Sequence, residues 1–446
     1  HVRTLDECDL EGNIPAGVTV EVSLNNGTGH GILTSAGDVE IAAGGTLRLD
    51  AIESGYESFF RITSGTLTNK GEIVCGTGGS GTRIIECPLD NRGTMTVNRD
   101  LELNGSSVTS SGTVVVASGE MITVANASFT QTAGTVTLDG GSIGVPHDYE
   151  LNGGILEGTG NVTGNLINND TVRPGTSSGY LQVMGDYTQT AGAGMEVEIE
   201  GTAPENFDRM RVNLAANLDG TVEVSLPGPF VPSVGDSFEF ITYRSRTGDV
   251  SVNPSQLAGF LVSVDYAADG ASLVFEKPVL TVQSTPDDGV AVTVDPADIY
   301  GNTGGATPFS RTYGIGEEVT LNALEFTDNG YFSYWEDGEG TLLAEELTLV
   351  VTVDQASTVV AVYSPFHTIA GTVSYDGRLT GDVYVQLRNS GTGSLVEEKL
   401  ATPTRDPQLF TYSFDGLWPM EYTFALFMDT NGNGTYDGSP EPYNAG

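Results

Sequence analysis

The sequence predicts an all-β protein: a β-solenoid (β-helix) closed by a β cap and followed by two small β domains, the last an immunoglobulin-like sandwich. Three observations carry this. Short apolar runs alternate with polar residues throughout, glycine punctuates the first half at nearly regular intervals, and no stretch shows helical periodicity. The chain has 446 residues, 59 of them Gly and 19 Pro, and its hydrophobic share is 38%. That length calls for two to four domains with thin cores.

Within the first two hundred residues, Gly65-Thr-Leu, Gly93-Thr-Met, Gly112-Thr-Val, Gly134-Thr-Val and Gly154-Ile-Leu recur with gaps of 28, 19, 22 and 20 residues. Phe129-Thr-Gln-Thr-Ala-Gly134 returns as Tyr187-Thr-Gln-Thr-Ala-Gly192, an offset of 58, or about three units. A unit of about 20 residues with period-two alternation and Gly, Asn, Asp or Ser at its ends describes one coil of short strands, stacked on its neighbours at about 4.8 Å. The solenoid is expected over 1–200 and its end and cap over 201–277, where Asp219–Leu226 and Gly235–Ile241 read as wider, more aromatic closing strands. Asn152–Gly175, Tyr180–Gly192, Met195–Gly201 and Phe207–Val212, in that order, resemble the C-terminal end of autotransporter-passenger-like β-solenoids of secreted bacterial surface proteins. The resemblance implies an architecture and not a reaction.

Lys277-Pro278 marks a boundary, because proline stops a strand pattern. Over 278–364, four alternating runs follow: Gly316–Ala323, Tyr331–Gly338, Leu347–Val353 and Ser357–Tyr363. With Phe332, Trp335 and Gly338 they resemble a divergent internalin B-type repeat, a small β module of bacterial surface proteins. Ser364-Pro365 reads as the next linker. Over 365–446, Thr368–Ser374, Gly381–Leu387, Leu409–Phe414 and Glu421–Phe427 resemble transthyretin-like or carboxypeptidase-regulatory-like sandwich modules.

Charge excludes whole classes of function. With 18 basic against 59 acidic residues the net charge is −41, which opposes nucleic acid at its phosphate backbone and an anionic membrane surface. No apolar run of about 18 residues exists to span a bilayer. Such a surface suits a salty or calcium-rich exterior, so the expected localisation is secreted, extracellular or at the cell surface.

Asp429-Thr-Asn-Gly-Asn-Gly-Thr-Tyr-Asp437 is the sharpest local signal. Ca²⁺ takes six to eight hard oxygens, and Asp429, Asn431, Asn433, the Thr435 carbonyl and Asp437 offer them at alternate positions with Gly434 at the sixth. Pro440 stands where the twelfth-place Glu of an EF-hand belongs, and Glu441 comes one residue late. A similar loop occurs between strands in surface modules of the kind just named. The plain alternative is an Asn-Gly hairpin that binds nothing.

Cys75 and Cys87 flank a flexible Gly-rich excursion and can close a short disulfide loop, whereas Cys8 reads as a small apolar residue in the first coil. His147-Asp148 offers two members of a nucleophilic triad without a Gly-x-Ser-x-Gly elbow. Glu336, Asp337 and Glu339 beside Trp335 read as a solvated hairpin. Asn-x-Ser/Thr triplets fall at Asn26, Asn104, Asn126, Asn161, Asn169 and Asn433. A polysaccharide lyase on this scaffold would need positioned acids and bases, but no Arg or Lys occurs from Asp100 to Val172.

The expected function is therefore that of a non-enzymatic structural or adhesive surface protein. Strand-like pieces between His1 and Leu24 leave an exposed β edge that suits head-to-tail self-association into a fibre. The alternatives are a carbohydrate-binding protein using Trp418, Tyr331 or Tyr334 on cell-surface or matrix glycans, and the lyase.

Overall fold

The computed structural model describes residues 1–4, 7–23, 29–52, 55–438 and 441–445. Pro440, Asn26 and Leu24, to which expectations were attached, lie outside them. The described residues are all-β, with short strands, one 3-10 turn at Pro204–Asn206 and no α-helix. They separate into two compact units, His1–Lys277 and Pro278–Gly446.

In the first unit each strand pairs in parallel with the third strand before it and the third after it, over most of its length. Thr46–Leu49 lies between Thr19–Val22 and Glu72–Cys75. Ser58–Ile62 lies between Gly31–Ser35 and Arg83–Glu86. Leu67–Asn69 lies between Val39–Ile41 and Leu89–Asn91. A 24-stranded sheet and a 10-stranded sheet result, an arrangement consistent with a β-helix or solenoid.

Strict register turns the sequence pattern into columns. Leu47, Ile73, Met95, Val114, Val136, Leu156, Val172, Met195 and Val222 follow one another down the sheet, all buried. Their outward neighbours Thr46, Glu72, Thr94, Thr113 and Thr135 form a second column. Alternation at period two thus becomes an apolar interior and a threonine-rich exterior.

Glycines form a third column, and it corrects the expected repeat. A Cβ added at Gly71, Gly93, Gly112, Gly134 or Gly154 would come 2.0–2.3 Å from the carbonyl oxygen of Gly45, Gly71, Gly93, Gly112 or Gly134 respectively. Backbone stacks directly on backbone there, and only hydrogen fits. Gly65 is not a member, since its Cβ would meet Asp38 instead. With Gly71 in its place the gaps become 22, 19, 22 and 20 residues.

Two or three residues before each of the first four column glycines, the last residue of a 10-stranded-sheet strand turns a polar group inward. Asn69 Nδ2 donates to Asn91 Oδ1 (2.7 Å), and Asn91 Nδ2 to Ser110 Oγ (3.0 Å). Gln131 Nε2 donates to the carbonyls of Gly134 and Ile155, and Tyr149 Oη to Gln131 Oε1 (2.6 Å). Asn168, Tyr187 and Gln189 continue the pattern. These buried amides take up corner carbonyls that a turning chain otherwise leaves unpaired. The repeated hexapeptide places Phe129 and Tyr187 in this sheet three strands apart.

The parallel order runs as far as Ser251–Asn253, and antiparallel pairing joins it from Ser237–Thr242 onward. Ser237–Thr242 pairs in parallel with Arg209–Val212 but antiparallel with Gly270–Glu276, which pairs antiparallel with Phe260–Tyr266. Phe207, Phe230, Phe238, Phe260 and Phe275 meet edge-to-face beside these strands.

The second unit is mostly antiparallel. Glu317–Asn322 and Thr348–Val353 join a four-stranded sheet, whereas Gly330–Asp337 and Ser357–Pro365 join a five-stranded one. Their shared core includes Trp335, Tyr313 and Val282. The strand Ser357–Pro365 runs through the expected linker, with Ser364 in register with Tyr331 and Pro365 with Gly330. Beyond it, a three-stranded and a four-stranded sheet enclose Val385, Leu387 and Phe414.

Candidate functional site

Strand Tyr422–Asp429 ends in the Asp429 loop, and Tyr443–Ala445 returns beside it. Asp429 is 2% exposed. Its Oδ1 accepts from the backbone N–H groups of Asn431 (3.1 Å) and Gly432 (2.7 Å), and its Oδ2 from that of Gly434 (2.6 Å). These donors, Gly434 foremost, hold its pKa below the ordinary carboxylate value. Gly432 and Gly434 both have positive φ, at 77° and 74°, which lets the backbone curl around the carboxylate.

Across the loop, Asp437 Oδ2 accepts from the side-chain amides of Asn431 (2.8 Å) and Asn433, and these lower its pKa as well. Asn433 Oδ1 accepts from the N–H and hydroxyl of Thr435, both at 2.9 Å. All five expected calcium ligands, Asp429, Asn431, Asn433, Thr435 and Asp437, therefore sit in one loop. The side-chain oxygens of Asp429, Asn431, Asn433 and Asp437 accept from internal donors, and among the described residues no three His, Cys, Asp or Glu side chains converge as a metal-holding group.

The residue that closes the loop is Glu441, 5% exposed. Its Oε1 accepts from Thr430 N (3.1 Å) and its Oε2 from Asp437 N (2.8 Å). Its place one residue late for an EF-hand is the place from which it reaches both ends of the loop.

Cys75 and Cys87 form no bridge; both are free thiols in the core. Cys75 occupies an inward position in register with Leu49 and Val97, while Cys87 follows the strand Arg83–Glu86 that belongs to a different row. Burial pushes each thiol up to about 12, so both behave as small apolar residues. Cys8, half-buried in Glu7–Asp9, packs against the same core.

The Gly-rich excursion between them is held from below by Arg83, which sequence inspection passed over. Its guanidinium, 0% exposed, donates to the carbonyls of Gly76 (2.9 Å), Gly78 and Gly81. It lies 3.6 Å from Asp50, whose Oδ1 also accepts from Gly78 N (2.9 Å). Nothing local announced this, since the three carbonyls and Asp50 are gathered by the fold.

The remaining candidates resolve into packing. Asp148 accepts from Asn165 Nδ2 (3.0 Å) and His147 is exposed. Asp337 caps its own turn through Glu339 N (2.9 Å) and Thr341 N (2.8 Å), which lower its pKa. Trp335 is fully buried and donates to the Leu347 carbonyl (3.3 Å). Tyr331 stacks on Trp418 at 5.2 Å while Phe326 meets the same ring edge-on at 5.1 Å. Two of the three aromatics expected to receive sugars thus pack against each other.

Asp208, also unforeseen, is 0% exposed and ties the loop before Tyr180 to strand Gly194–Glu198. Its Oδ1 accepts from Gly179 N (2.8 Å) and its Oδ2 from Glu198 N (3.0 Å). Burial outweighs these donors and raises its pKa to about 7.

No protein family matches the chain, and no curated protein matches it at a significant level.

Proposed function

We propose that this chain is a secreted, non-enzymatic structural or adhesive surface protein, a β-solenoid with a β cap carrying an internalin-type module and an immunoglobulin-like sandwich. The supporting observation is the one-sided edge of the first unit. Val2–Thr4 pairs only with Thr19–Val22 among the described residues. A parallel edge with free N–H and C=O groups is a template for another strand. On this reading, strands of a second copy complete it and copies add head to tail.

The use of charge along the coils favours a scaffold over a catalyst. Arg173 Nη1 lies 2.9 Å from Glu157 and the same guanidinium also contacts Glu196, linking three successive coils, and Arg61 pairs with Glu86. Such cations neutralise neighbours in the stack instead of converging on a reacting group.

Calcium binding at Asp429–Asp437 belongs to the same proposal. The donor set is hard oxygen; a cation would displace the amide groups of Asn431 and Asn433 from Asp437, and both side chains would turn to present oxygen. Sedimentation velocity and negative-stain microscopy of the full chain, over a concentration series with Ca²⁺ and with chelator, test both parts. Fibres that lengthen with concentration are expected. Monodisperse monomers at every concentration overturn the assembly, and identical thermal midpoints with and without Ca²⁺ overturn the metal.

A further inference from the structure

Among the described residues of the first unit, nine of the thirteen Lys and Arg side chains lie within ion-pair distance of a carboxylate: Arg3, Arg48, Arg61, Lys70, Arg83, Arg92, Arg99, Arg173 and Arg246. The exceptions are Arg209, Arg211, Arg244 and Lys277. In so acidic a chain an unpaired cation is unexpected, and three of the four lie close together: Arg209 and Arg211 share the strand Arg209–Val212, and Arg244 sits in the bend after the neighbouring strand Ser237–Thr242.

Arg209 and Arg211 alternate with buried Met210 and Val212 on one strand, so both point outward. They stand in register with Tyr180 and Gln182 of the coil before, and Arg211 with Thr242 of the coil after. The Arg209 guanidinium lies over the Tyr180 ring, 5.3 Å from its centroid, and its buried Nε has no partner. Two adjoining hollows open there. One, of about 230 Å³, is lined by Tyr180, Arg209, Arg211, Glu239 and Thr242; the other, of about 370 Å³, by Arg211, Asn213, Glu239, Arg244 and Asp269.

We propose that this double hollow binds an acidic polysaccharide, its uronate carboxylates taken by Arg209, Arg211 and Arg244 and its hydroxyls by Glu239 and Asp269. Guanidinium forks match carboxylates bidentately. The two acidic side chains disfavour a compact inorganic anion but suit a ligand that donates hydroxyl protons as well as presenting carboxylates. Adjoining hollows fit successive sugar units. The −41 charge of the chain is screened beyond about 8 Å at physiological salt, so the local guanidinium field decides. The inference does not depend on the proposed assembly, because a monomer would bind equally.

The test is calorimetric titration of the full chain with oligogalacturonate, in about 0.15 M salt and chelator, against a neutral glucan of equal length and against inorganic sulfate. Arg211 and Arg244 are both exposed, so R211Q/R244Q keeps the fold, and an unchanged melting curve checks this. The expected result is binding of oligogalacturonate, undetectable binding of the glucan, much weaker binding of sulfate and a loss of at least about tenfold in the double variant. Equal binding of glucan or sulfate, no binding of any probe, or undiminished binding by a folded R211Q/R244Q would overturn the proposal. So would a double variant that alters only self-association, since the arginines would then serve a second copy.

Discussion

The two units reach order by opposite routes. In His1–Lys277 most strands find parallel partners on either side, typically three strands before and three after, and the same contact is made again and again: apolar residue on apolar residue, glycine on glycine, amide on amide. In Pro278–Gly446 the strands pair mostly antiparallel, several with partners far along the chain, as Asp382–Asn389 with Tyr422–Asp429, and each contact occurs once, as with Trp335 in its core or Tyr331 on Trp418. Repetition makes the first unit tolerant in one respect and brittle in another. A missing side chain is felt by two neighbours, whereas a misplaced backbone atom obstructs the stack.

The largest expected effects test that contrast at its centre. Trp335→Ala and Phe129→Ala should each cost about 3–5 kcal/mol, read from chemical denaturation. Phe129 meets Tyr149 at 5.0 Å, and hydrogen exchange should show opening confined to nearby coils. For Trp335→Ala the loss should spread through its two sheets. Equal spreading in both variants would erase the distinction.

Gly112→Ala comes next, at about 1–3 kcal/mol or more, because its Cβ would sit 2.0 Å from the Gly93 carbonyl oxygen. Gly119→Ala, where nothing lies within 4 Å but φ is +78°, should cost only the strain of that conformation. Comparable melting midpoints for the two would refute the backbone column. Asn91→Leu should cost about 1–3 kcal/mol by taking one acceptor from Asn69 Nδ2 and the amide donor from Ser110 Oγ and the Thr113 carbonyl. An unchanged midpoint would mean water replaces the amide.

Asp208 adds a dependence on pH. Its folded pKa, about 7, lies above the ordinary value, so its contribution to stability is complete below the unfolded pKa and is lost as pH rises through about 7. Asp208→Asn should accordingly flatten the difference in stability between pH 5 and pH 8 relative to the parent. Asp429 works the other way. Its folded pKa is depressed, so its contribution is present above the unfolded pKa and fades as the pH falls through the lower folded value. Exchange of the Gly432 and Gly434 amides should quicken there, the smallest of these effects and confined to one loop.

What could be read in advance follows the same division. Alternation and turn residues located most strands, because both act between near neighbours in the chain. The repeated Phe129 and Tyr187 hexapeptides gave the number of strands between them because register preserves spacing. Gly65 was mistaken for a column member in place of Gly71, since the Gly-Thr-Leu motif carries no record of what lies above it. The partnerships of Arg83, Asp208 and Glu441 were invisible for a related reason: their partners are chiefly backbone atoms brought there by folding. Cys75 and Cys87 suggested a bridge by proximity in sequence, and the alternation of strands directed both inward instead.

The column of glycines has one more consequence. Because each repeat meets the next through the same narrow seam of glycines, a repeat can be duplicated or removed in whole units without redesigning its neighbours, while a shift by any fraction is barred. The length of the parallel sheet becomes a quantity that gene duplication can adjust in steps.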